Sequence, residues 1–123
     1  MTPLCNVLIV EDEYLIALDL IETMVGFGAM RTEMALDSLS ASGLIDSQVF
    51  DLVTLDYFLG RDTCQPLVER LRHRNIPFIV VTGLDLRLLP PWLSGSPVLP
   101  KPINYREVGE AVQALGFVVA AAA

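Results

Sequence analysis

Acidic residues stand at the ends of two apolar runs, at the points where buried strands would leave the core. The run VLIV is followed by Glu11, Asp12 and Glu13, and the run LVTL is followed by Asp56. Two carboxylates about 4 Å apart repel each other by roughly 4 kcal/mol at an effective dielectric constant near 20. If these acids converge they need a cation, and all-oxygen ligands suit Mg²⁺ or Mn²⁺ rather than zinc. A carboxylate is also a nucleophile that can form an acyl phosphate.

Two later apolar runs also end in polar residues. The run IVV is followed by Thr82 and Gly83, and the run VLP is followed by Lys101. Phosphoryl transfer needs an in-line attack, a metal ion on the phosphoryl oxygens and a nearby cation. Lys101 supplies a cation, Thr82 offers a hydroxyl to a phosphoryl oxygen, and Gly83 removes side-chain bulk beside it. These residue types indicate phosphoryl chemistry, provided that the four run ends meet in space.

Short apolar runs alternate with longer segments of helical spacing, a pattern typical of buried strands joined by helices. The predicted strands cover residues 5–10, 30–35, 52–55, 77–81 and 97–99, and the second is a weaker run suited to a sheet edge. The predicted helices cover about 13–25, 37–46 and 65–73, and a last helix follows an Asn104 cap with Glu107 in a capping box and ends at Gly116.

Strand followed by helix, five times, predicts one α/β domain over residues 1–123, with helices on both faces of a parallel sheet. Right-handed crossovers and a short first unit favour a doubly wound sheet with strand order 2-1-3-4-5. Ligand sites of such sheets lie beyond the carboxyl ends of the strands. The order therefore brings the polar run ends to one edge of the sheet.

The fourth helix is predicted to be short and irregular. Pro90 and Pro91 lie in the middle of the unit that must hold it, and proline in a helix interior costs about 3 kcal/mol. We expect one or two turns around Asp85–Leu89, or a turn that begins at Pro91. Trp92 is expected to pack this loop onto the body of the domain, with partner contact as the alternative.

Composition narrows the class of protein. Of 123 residues 53% are hydrophobic, yet no stretch approaches the roughly 18–20 apolar residues of a membrane span. The start, MTPLCNVLIVEDE, lacks the basic region of a signal peptide, so we expect a cytoplasmic location.

A net charge of −7 argues against DNA binding and against anionic membranes, because affinity for phosphates comes from cations. Cys5 and Cys64 lie far apart and are expected to be free thiols.

Four motifs, in order along the chain, resemble the CheY-like response-regulator receiver domain of two-component signalling. They are VLIVEDE, VTLDYFLG, IVVTG and VLPKP. The resemblance covers nearly the whole chain, and each motif ends a predicted strand. It implies a flavodoxin-like fold. Because the sequence stops just after the last helix, it also implies a stand-alone receiver without an output domain.

The resemblance implies a phosphoacceptor and a metal site. Asp56 would accept a phosphoryl group from a sensor histidine kinase or a histidine phosphotransfer protein. Asp12 would bind Mg²⁺ directly and Glu11 through water, and Mn²⁺ is an alternative ion. Asp56 and the backbone carbonyl of Phe58 would complete the protein ligands.

The resemblance also implies a switch. Thr82 and Lys101 would contact the phosphoryl group and couple it to a change of shape that alters binding to a downstream protein. Self-catalysed phosphotransfer and dephosphorylation are the only chemistry expected, so the chain is not predicted to be an enzyme. Family dimers often use the fourth helix, fifth strand and fifth helix, which leaves a homodimer open.

Three features depart from the family pattern. Receivers usually carry Tyr or Phe three residues before the lysine, and Val98 stands there. The Pro and Asp-Gly that usually follow the phosphoacceptor strand are missing from LGRDTCQP. The short, proline-broken fourth helix is also atypical, and here the stretch PFIVVTG shares Pro77, Phe78, Thr82 and Gly83 with the PFxFATG stretch of the receiver variant called FAT GUY, whose fourth-helix region is altered. These departures favour, as the alternative function, a receiver-like interaction module that works without phosphorylation.

Ordinary structural roles remain open for each of these residues. The acids after the first run could stabilise a helix N-terminus through its dipole, Asp56 could be a turn residue, and Lys101 a solvated loop lysine. Tyr14, Leu15 and Ile16 either pack in the core or form a docking surface for a kinase. A phosphohydrolase with an aspartyl nucleophile is disfavoured, since Phe58 occupies the position where such enzymes often place a second acid.

Overall fold

A parallel sheet of five strands forms the centre of the computed structural model, which describes residues 2–120. The strands are β1 (Asn6–Val10), β2 (Arg31–Ala35), β3 (Leu52–Asp56), β4 (Phe78–Thr82) and β5 (Val98–Pro100). Their order across the sheet is β2-β1-β3-β4-β5, all parallel. The predicted α/β fold and its strand order are therefore confirmed. The predicted domain boundaries include residue 1 and residues 121–123, which lie outside the described residues.

Four α-helices cover the two faces of the sheet. They are α1 (Tyr14–Gly26), α2 (Ser38–Ser47), α3 (Gln65–His73) and α4 (Tyr105–Ala114). The Asp37 side chain caps α2 by accepting the Ser40 N–H at 2.7 Å. The Asn104 side chain caps α4 by accepting two backbone N–H groups, at 2.9 and 3.1 Å. The Asn104 cap stands where the sequence predicts it, because its side-chain oxygen satisfies amides that the first helical turn leaves free.

Residues 2–120 form two hydrophobic cores, one on each face of the sheet. Alternate residues of the central strands point to opposite faces, so Val53 and Leu55 join the core under α2 and α3, whereas Leu52 joins the core under α1 and α4. Burial on both faces explains why these strands read as continuous apolar runs. Both cysteines are free, and Cys64 is buried.

No α-helix forms between β4 and β5. Two 3₁₀ turns, Leu86–Leu88 and Pro91–Leu93, replace it. The turns flank Pro90, and Pro91 begins the second one, as the sequence predicts from the proline pair. Trp92 is partly buried and packs against the core under α2 and α3, so its predicted packing role is confirmed.

Two short strand pairs were not predicted from the sequence. Thr2–Pro3 pairs in parallel with Phe117–Val118. Phe58–Leu59 pairs with Asp62–Thr63 in an antiparallel hairpin, whose turn has Gly60 at φ 67°. This positive φ favours glycine. Within residues 2–120, no helix is both long enough and apolar enough to cross a membrane.

Thr54, in the middle of β3, leads to a prediction about stability. Its hydroxyl oxygen is buried and finds no hydrogen-bond partner in the described part of the chain. A buried polar group without a partner costs about 1–3 kcal/mol. We expect Thr54→Val to raise the free energy of unfolding in urea by about 1 kcal/mol, because it removes the polar atom and nearly keeps the shape. Thr54→Ser, the matched control, should be less stable than wild type. A loss of stability in Thr54→Val would contradict the argument.

Candidate functional site

The polar residues that follow the sheet strands converge at one edge of the sheet. The backbone ladder continues one residue beyond the strands: the Glu11 N–H donates to the Ala35 carbonyl at 3.1 Å, and the Lys101 N–H donates to the Thr82 carbonyl at 2.8 Å. These bonds hold Glu11 and Lys101 in register with the neighbouring strands. The expected meeting of the four run ends is therefore what the fold produces.

Glu11, Asp12 and Asp56 form a compact acidic cluster. One carboxylate oxygen from each residue lies within 4.8 Å of the other two. Glu11 is fully buried, Asp56 is 8% exposed and Asp12 is exposed. Three carboxylates at this spacing repel one another, so the cluster requires positive charge.

Lys101 supplies positive charge to two members of the cluster, Asp56 and Glu11. Its Nζ lies 3.1 Å from Asp56 Oδ2 and 3.3 Å from each carboxylate oxygen of Glu11. Burial tends to lower the pKa of Lys101, but the hydrogen bond and the charge of Asp56, and then Glu11, raise it above its usual value. The ammonium group therefore stays protonated. Lys101 is also the only lysine in the chain.

The two carboxylate oxygens of Glu11 have different partners. Its Oε1 accepts the Glu13 N–H at 3.2 Å, whereas its buried Oε2 accepts no hydrogen bond within residues 2–120 and is reached by the Lys101 ammonium as an ion pair at 3.3 Å. Burial first, and then the charge of Asp56, raise the pKa of Glu11 to about 7, against the opposing effect of Lys101. Three clustered carboxylates that share one ammonium group fit a hard divalent ion that takes oxygen ligands, such as Mg²⁺.

Asp12 is held by the hairpin that follows β3. Its Oδ2 accepts the backbone N–H of Gly60 at 3.2 Å. The sequence analysis does not single out Gly60. A glycine at the first position of a two-residue turn, here Gly60-Arg61, is nevertheless typical of a β-hairpin. This bond joins the end of β1 to the loop that contains Phe58. Phe58 itself is 45% exposed, and its ring meets the ring of Tyr57 edge-on at 4.8 Å.

Thr82 ends β4 with its side chain buried. Its Oγ1 accepts the Leu84 N–H at 3.0 Å, which keeps the hydroxyl proton free to be donated elsewhere. A Cβ at Gly83 would have nothing within 4 Å. The expectation that Gly83 is needed to remove bulk beside Thr82 is therefore not supported by the spacing of the atoms.

Solved structures provide comparisons for this arrangement. SdrG from Sphingomonas melonis Fr1, a solution structure, is 32% identical with a TM-score of 0.77, and the match covers 94% of this chain and 98% of SdrG. The receiver domain of the Francisella response regulator 1452 is 28% identical with a TM-score of 0.75, over 89% and 94% of the two chains. This chain belongs to the response-regulator receiver domains.

A further receiver domain with the same fold comes from Methylobacillus flagellatus, described as CheY-like. It is 23% identical with a TM-score of 0.79, over 91% of this chain and 98% of that one. No protein-family model matches the sequence, and no curated protein does. The family assignment of this receiver domain thus comes from structural neighbours together with the identity to SdrG. Receiver domains are signalling domains rather than classical enzymes.

The raised pKa of Glu11 leads to a prediction about how the stability of the metal-free receiver domain depends on pH. Its folded-state pKa is raised from 4.5 to about 7, so the folded state holds this proton more tightly than the unfolded state. The stability that the proton contributes is complete below about pH 4.5 and is lost as the pH rises to about 7. We expect the free energy of unfolding in urea, measured with a chelator present, to fall across this range.

Glu11→Gln tests the origin of this pH dependence. The amide cannot titrate, so the variant should lose most of the fall between pH 4.5 and about 7. Glu107→Gln, a change at a partly buried acid of α4, is the matched control and should retain it. An unchanged slope in Glu11→Gln would assign the pH dependence to another group.

Proposed function

We propose that this receiver domain accepts a phosphoryl group from a phosphohistidine donor onto Asp56, with Mg²⁺, and thereby switches its binding to a downstream protein. The observation that carries the proposal is the position of Asp56 at the end of β3. Its carboxylate lies 3.1 Å from the Lys101 ammonium and belongs to one cluster with the acids Glu11 and Asp12. That is the surrounding that a carboxylate nucleophile for phosphoryl transfer requires.

The transfer forms one bond and breaks one. A carboxylate oxygen of Asp56 attacks phosphorus in line with the phosphorus–nitrogen bond of the donor, and that bond breaks with its electron pair on the imidazole nitrogen. The other ring nitrogen of the donor carries a proton, so the products are an aspartyl phosphate and a neutral histidine. In dephosphorylation, water attacks phosphorus, the phosphorus–oxygen bond to Asp56 breaks, and inorganic phosphate and the Asp56 carboxylate are the products. Lys101 stays protonated throughout and stabilises the phosphoryl oxygens electrostatically.

Four groups of the chain are proposed to hold the metal ion: the Asp12 and Asp56 carboxylates, the Phe58 carbonyl, and Glu11 through water. The close grouping of the Glu11, Asp12 and Asp56 carboxylates supports this assignment, because the single charge of Lys101 does not balance three carboxylates. When bound, Mg²⁺ would neutralise charge on the transferring phosphoryl oxygens. The Gly60 bond to Asp12 Oδ2 orients that carboxylate toward the site.

Thr82 and Lys101 are proposed to change their contacts when Asp56 is phosphorylated. The Thr82 hydroxyl can donate to a phosphoryl oxygen, and Lys101 can exchange its contact with the Asp56 carboxylate for one with the phosphoryl group. Because Thr82 Oγ1 also holds the Leu84 N–H, such a movement pulls directly on the segment between β4 and β5. The segment would then present a different surface to the downstream protein.

The donor is proposed to dock at the start of α1. Tyr14 and Leu15 are exposed there, Leu15 at 78%, whereas Ile16 packs against the core. A cavity of about 180 Å³ lies beside them, lined by Ile16, Asp19, Lys101, Pro102 and Ile103. An apolar surface next to the phosphoacceptor suits a histidine kinase or a phosphotransfer protein in the cytoplasm. The net charge of −7 disfavours direct DNA contact.

A titration with beryllofluoride and Mg²⁺, followed by amide NMR, tests the proposed function. Beryllofluoride mimics an acyl phosphate on a carboxylate. SdrG, 32% identical to this chain, has been solved in a BeF₃-activated conformation. We expect saturable shifts at the amides of Asp56 and Thr82 and in the segment after β4. Absence of any shift near Asp56 at high beryllofluoride and Mg²⁺ would refute the proposal.

The same titration separates a second candidate function, an interaction module that signals without phosphorylation. Val98, which stands where receivers usually place an aromatic residue, and the two 3₁₀ turns in place of a helix favour it. If Mg²⁺ shifts the amides around Asp12 while beryllofluoride leaves Thr82 and the following segment unmoved, the module is the better description.

Phe58 is predicted to slow the loss of the phosphoryl group. Its ring is half-exposed two residues after Asp56 and can partly shield an acyl phosphate from water. We expect Phe58→Asn to shorten the phosphate half-life about tenfold, equal to about 1.4 kcal/mol of activation free energy. The measurement follows decay of the labelled protein after removal of the donor. Leu86→Asn, at another exposed apolar residue, is the control, and an unchanged half-life in Phe58→Asn would contradict the prediction.

A further inference from the structure

Three aromatic rings form a continuous chain between the phosphoacceptor strand and the segment that precedes β5. Tyr57 follows Asp56 directly, and its ring stacks on that of Trp92 at 5.8 Å with an interplanar angle of 13°. The Phe58 ring meets the Tyr57 ring edge-on. Trp92, which lies far from Asp56 in sequence, thus contacts the residue next to the proposed phosphoacceptor.

Tyr57 is firmly held by its backbone. Its N–H donates to the Val81 carbonyl at 2.9 Å, and its carbonyl accepts the Cys64 N–H at 2.7 Å. The side chain is buried. These bonds leave the Tyr57 backbone little freedom to move independently. A displacement of Asp56 or of the loop that contains Phe58 is therefore expected to displace the Tyr57 ring.

The connecting segment, residues 84–97, is in contrast weakly tied to the sheet. From Asp85 to Ser96 its backbone hydrogen bonds join residues within the segment, such as Leu93 N–H to the Pro90 carbonyl. Polar ties to the body are the Leu84 N–H bond to Thr82, the bond between Ser96 Oγ and Arg72 at 2.7 Å, and, at the end of the segment, the Val80 N–H bond to the Pro97 carbonyl at 3.0 Å. The rest of the attachment is apolar packing by Leu84, Leu89, Trp92 and Leu93. Segments with few hydrogen bonds to the core are those that rearrange most easily.

We propose that Trp92 is a positioning residue that couples the connecting segment to the phosphoacceptor site through its stack on Tyr57. The proposal rests on the proposed function, because it concerns how the state of Asp56 is transmitted. Thr82 is bonded to the start of the segment, and Trp92 lies near its middle. The first 3₁₀ turn lies between these two points and is therefore linked to the site from both sides. Val98 packs on the same core but has no ring with which to make such a stack.

The size of the coupling follows from the stack. An aromatic pair contributes about 0.5–1.5 kcal/mol beyond its buried area, which biases two arrangements of the segment by about 2- to 13-fold. Trp92→Phe keeps a ring that can stack on Tyr57. Trp92→Leu fills part of the same space without one. The two variants therefore separate stacking from the filling of volume.

Two measurements test the inference during the beryllofluoride and Mg²⁺ titration. In wild type, Trp92 is the only tryptophan, so its fluorescence emission should shift with the same midpoint as the Asp56 amide. Asp56→Asn should lose that shift. In Trp92→Leu, beryllofluoride should still move the amides of Asp56 and Thr82, but the shifts of Leu86, Leu88 and Ser94 should fall by at least about 2-fold. Trp92→Phe should restore most of them.

The outcomes distinguish this inference from the proposed function. Shifts at the Asp56 amide without a change in Trp92 emission would overturn the inference and leave the proposed function standing. Equal segment shifts in Trp92→Leu and Trp92→Phe would do the same, since volume alone would then suffice. Failure of beryllofluoride to move the Asp56 amide in wild type would overturn both.

Discussion

The variant Asp56→Asn is expected to take up no phosphoryl group when it is incubated with Mg²⁺ and a small acyl phosphate that labels the wild type. The amide is not a nucleophile toward phosphorus, and it also removes one of the three carboxylates of the acidic cluster. Intact-mass spectrometry measures the uptake directly, and circular dichroism shows that the variant remains folded. Labelling is expected to fall from one phosphoryl group per chain to none.

The control for this prediction is Asp62→Asn, which removes an exposed acid from the hairpin just after β3. It should label like wild type, because Asp62 does not belong to the cluster. Equal labelling of wild type and Asp56→Asn would mean that another side chain accepts the phosphoryl group. The proposed function would then have to be abandoned.

The second large effect is expected on stability, in Lys101→Met. Methionine keeps most of the aliphatic stem but removes the ammonium that lies 3.1 Å from Asp56 and 3.3 Å from Glu11. Removal of one partner from a largely buried ion pair leaves unpaired charge, at a cost of about 3–5 kcal/mol when burial is complete. Because the Lys101 side chain is 19% exposed and Glu11 can take up a proton, we expect a loss of about 2 kcal/mol without metal.

Mg²⁺ should reverse this loss. A divalent ion replaces the missing positive charge, so the rise in melting temperature on addition of Mg²⁺ should be larger in Lys101→Met than in wild type. Arg106→Met removes a cation from the exposed face of α4 and serves as the control, with the wild-type response. Equal Mg²⁺ responses in Lys101→Met and wild type would show that Lys101 and the metal do not compensate the same charges.

Much of the site could be predicted because it depends on strand ends rather than on side-chain detail. Parallel strands bring their carboxyl ends to one edge of the sheet, so the order 2-1-3-4-5 was sufficient to bring Glu11, Asp56, Thr82 and Lys101 together. The Asn104 cap and the effect of the proline pair could also be predicted from the sequence. In both cases the chemistry of one or two residues determines the local backbone, whatever the rest of the fold.

The rest depended on contacts between residues far apart in sequence. The stack of Trp92 on Tyr57 needs the path of an irregular segment, which no periodic pattern describes. The bond from Gly60 to Asp12 needs a hairpin of two-residue strands, too short for alternation to be read. The pairing of Thr2–Pro3 with Phe117–Val118 escaped prediction for the same reason. The metal ligands and the phosphoacceptor remain predictions drawn from chemistry and resemblance.

The position of the single lysine has a practical consequence for anyone who labels this protein. Reductive methylation with ¹³C-formaldehyde would put isotopic methyl groups on Lys101 Nζ and on the amino terminus alone, so one side-chain NMR signal would report directly on the acidic cluster. By the same reasoning, any reaction of Lys101 with an amine-reactive surface or dye would remove the ammonium that neutralises Glu11 and Asp56. Immobilised protein should therefore be attached through an engineered site elsewhere, such as the exposed Ser47 at the end of α2.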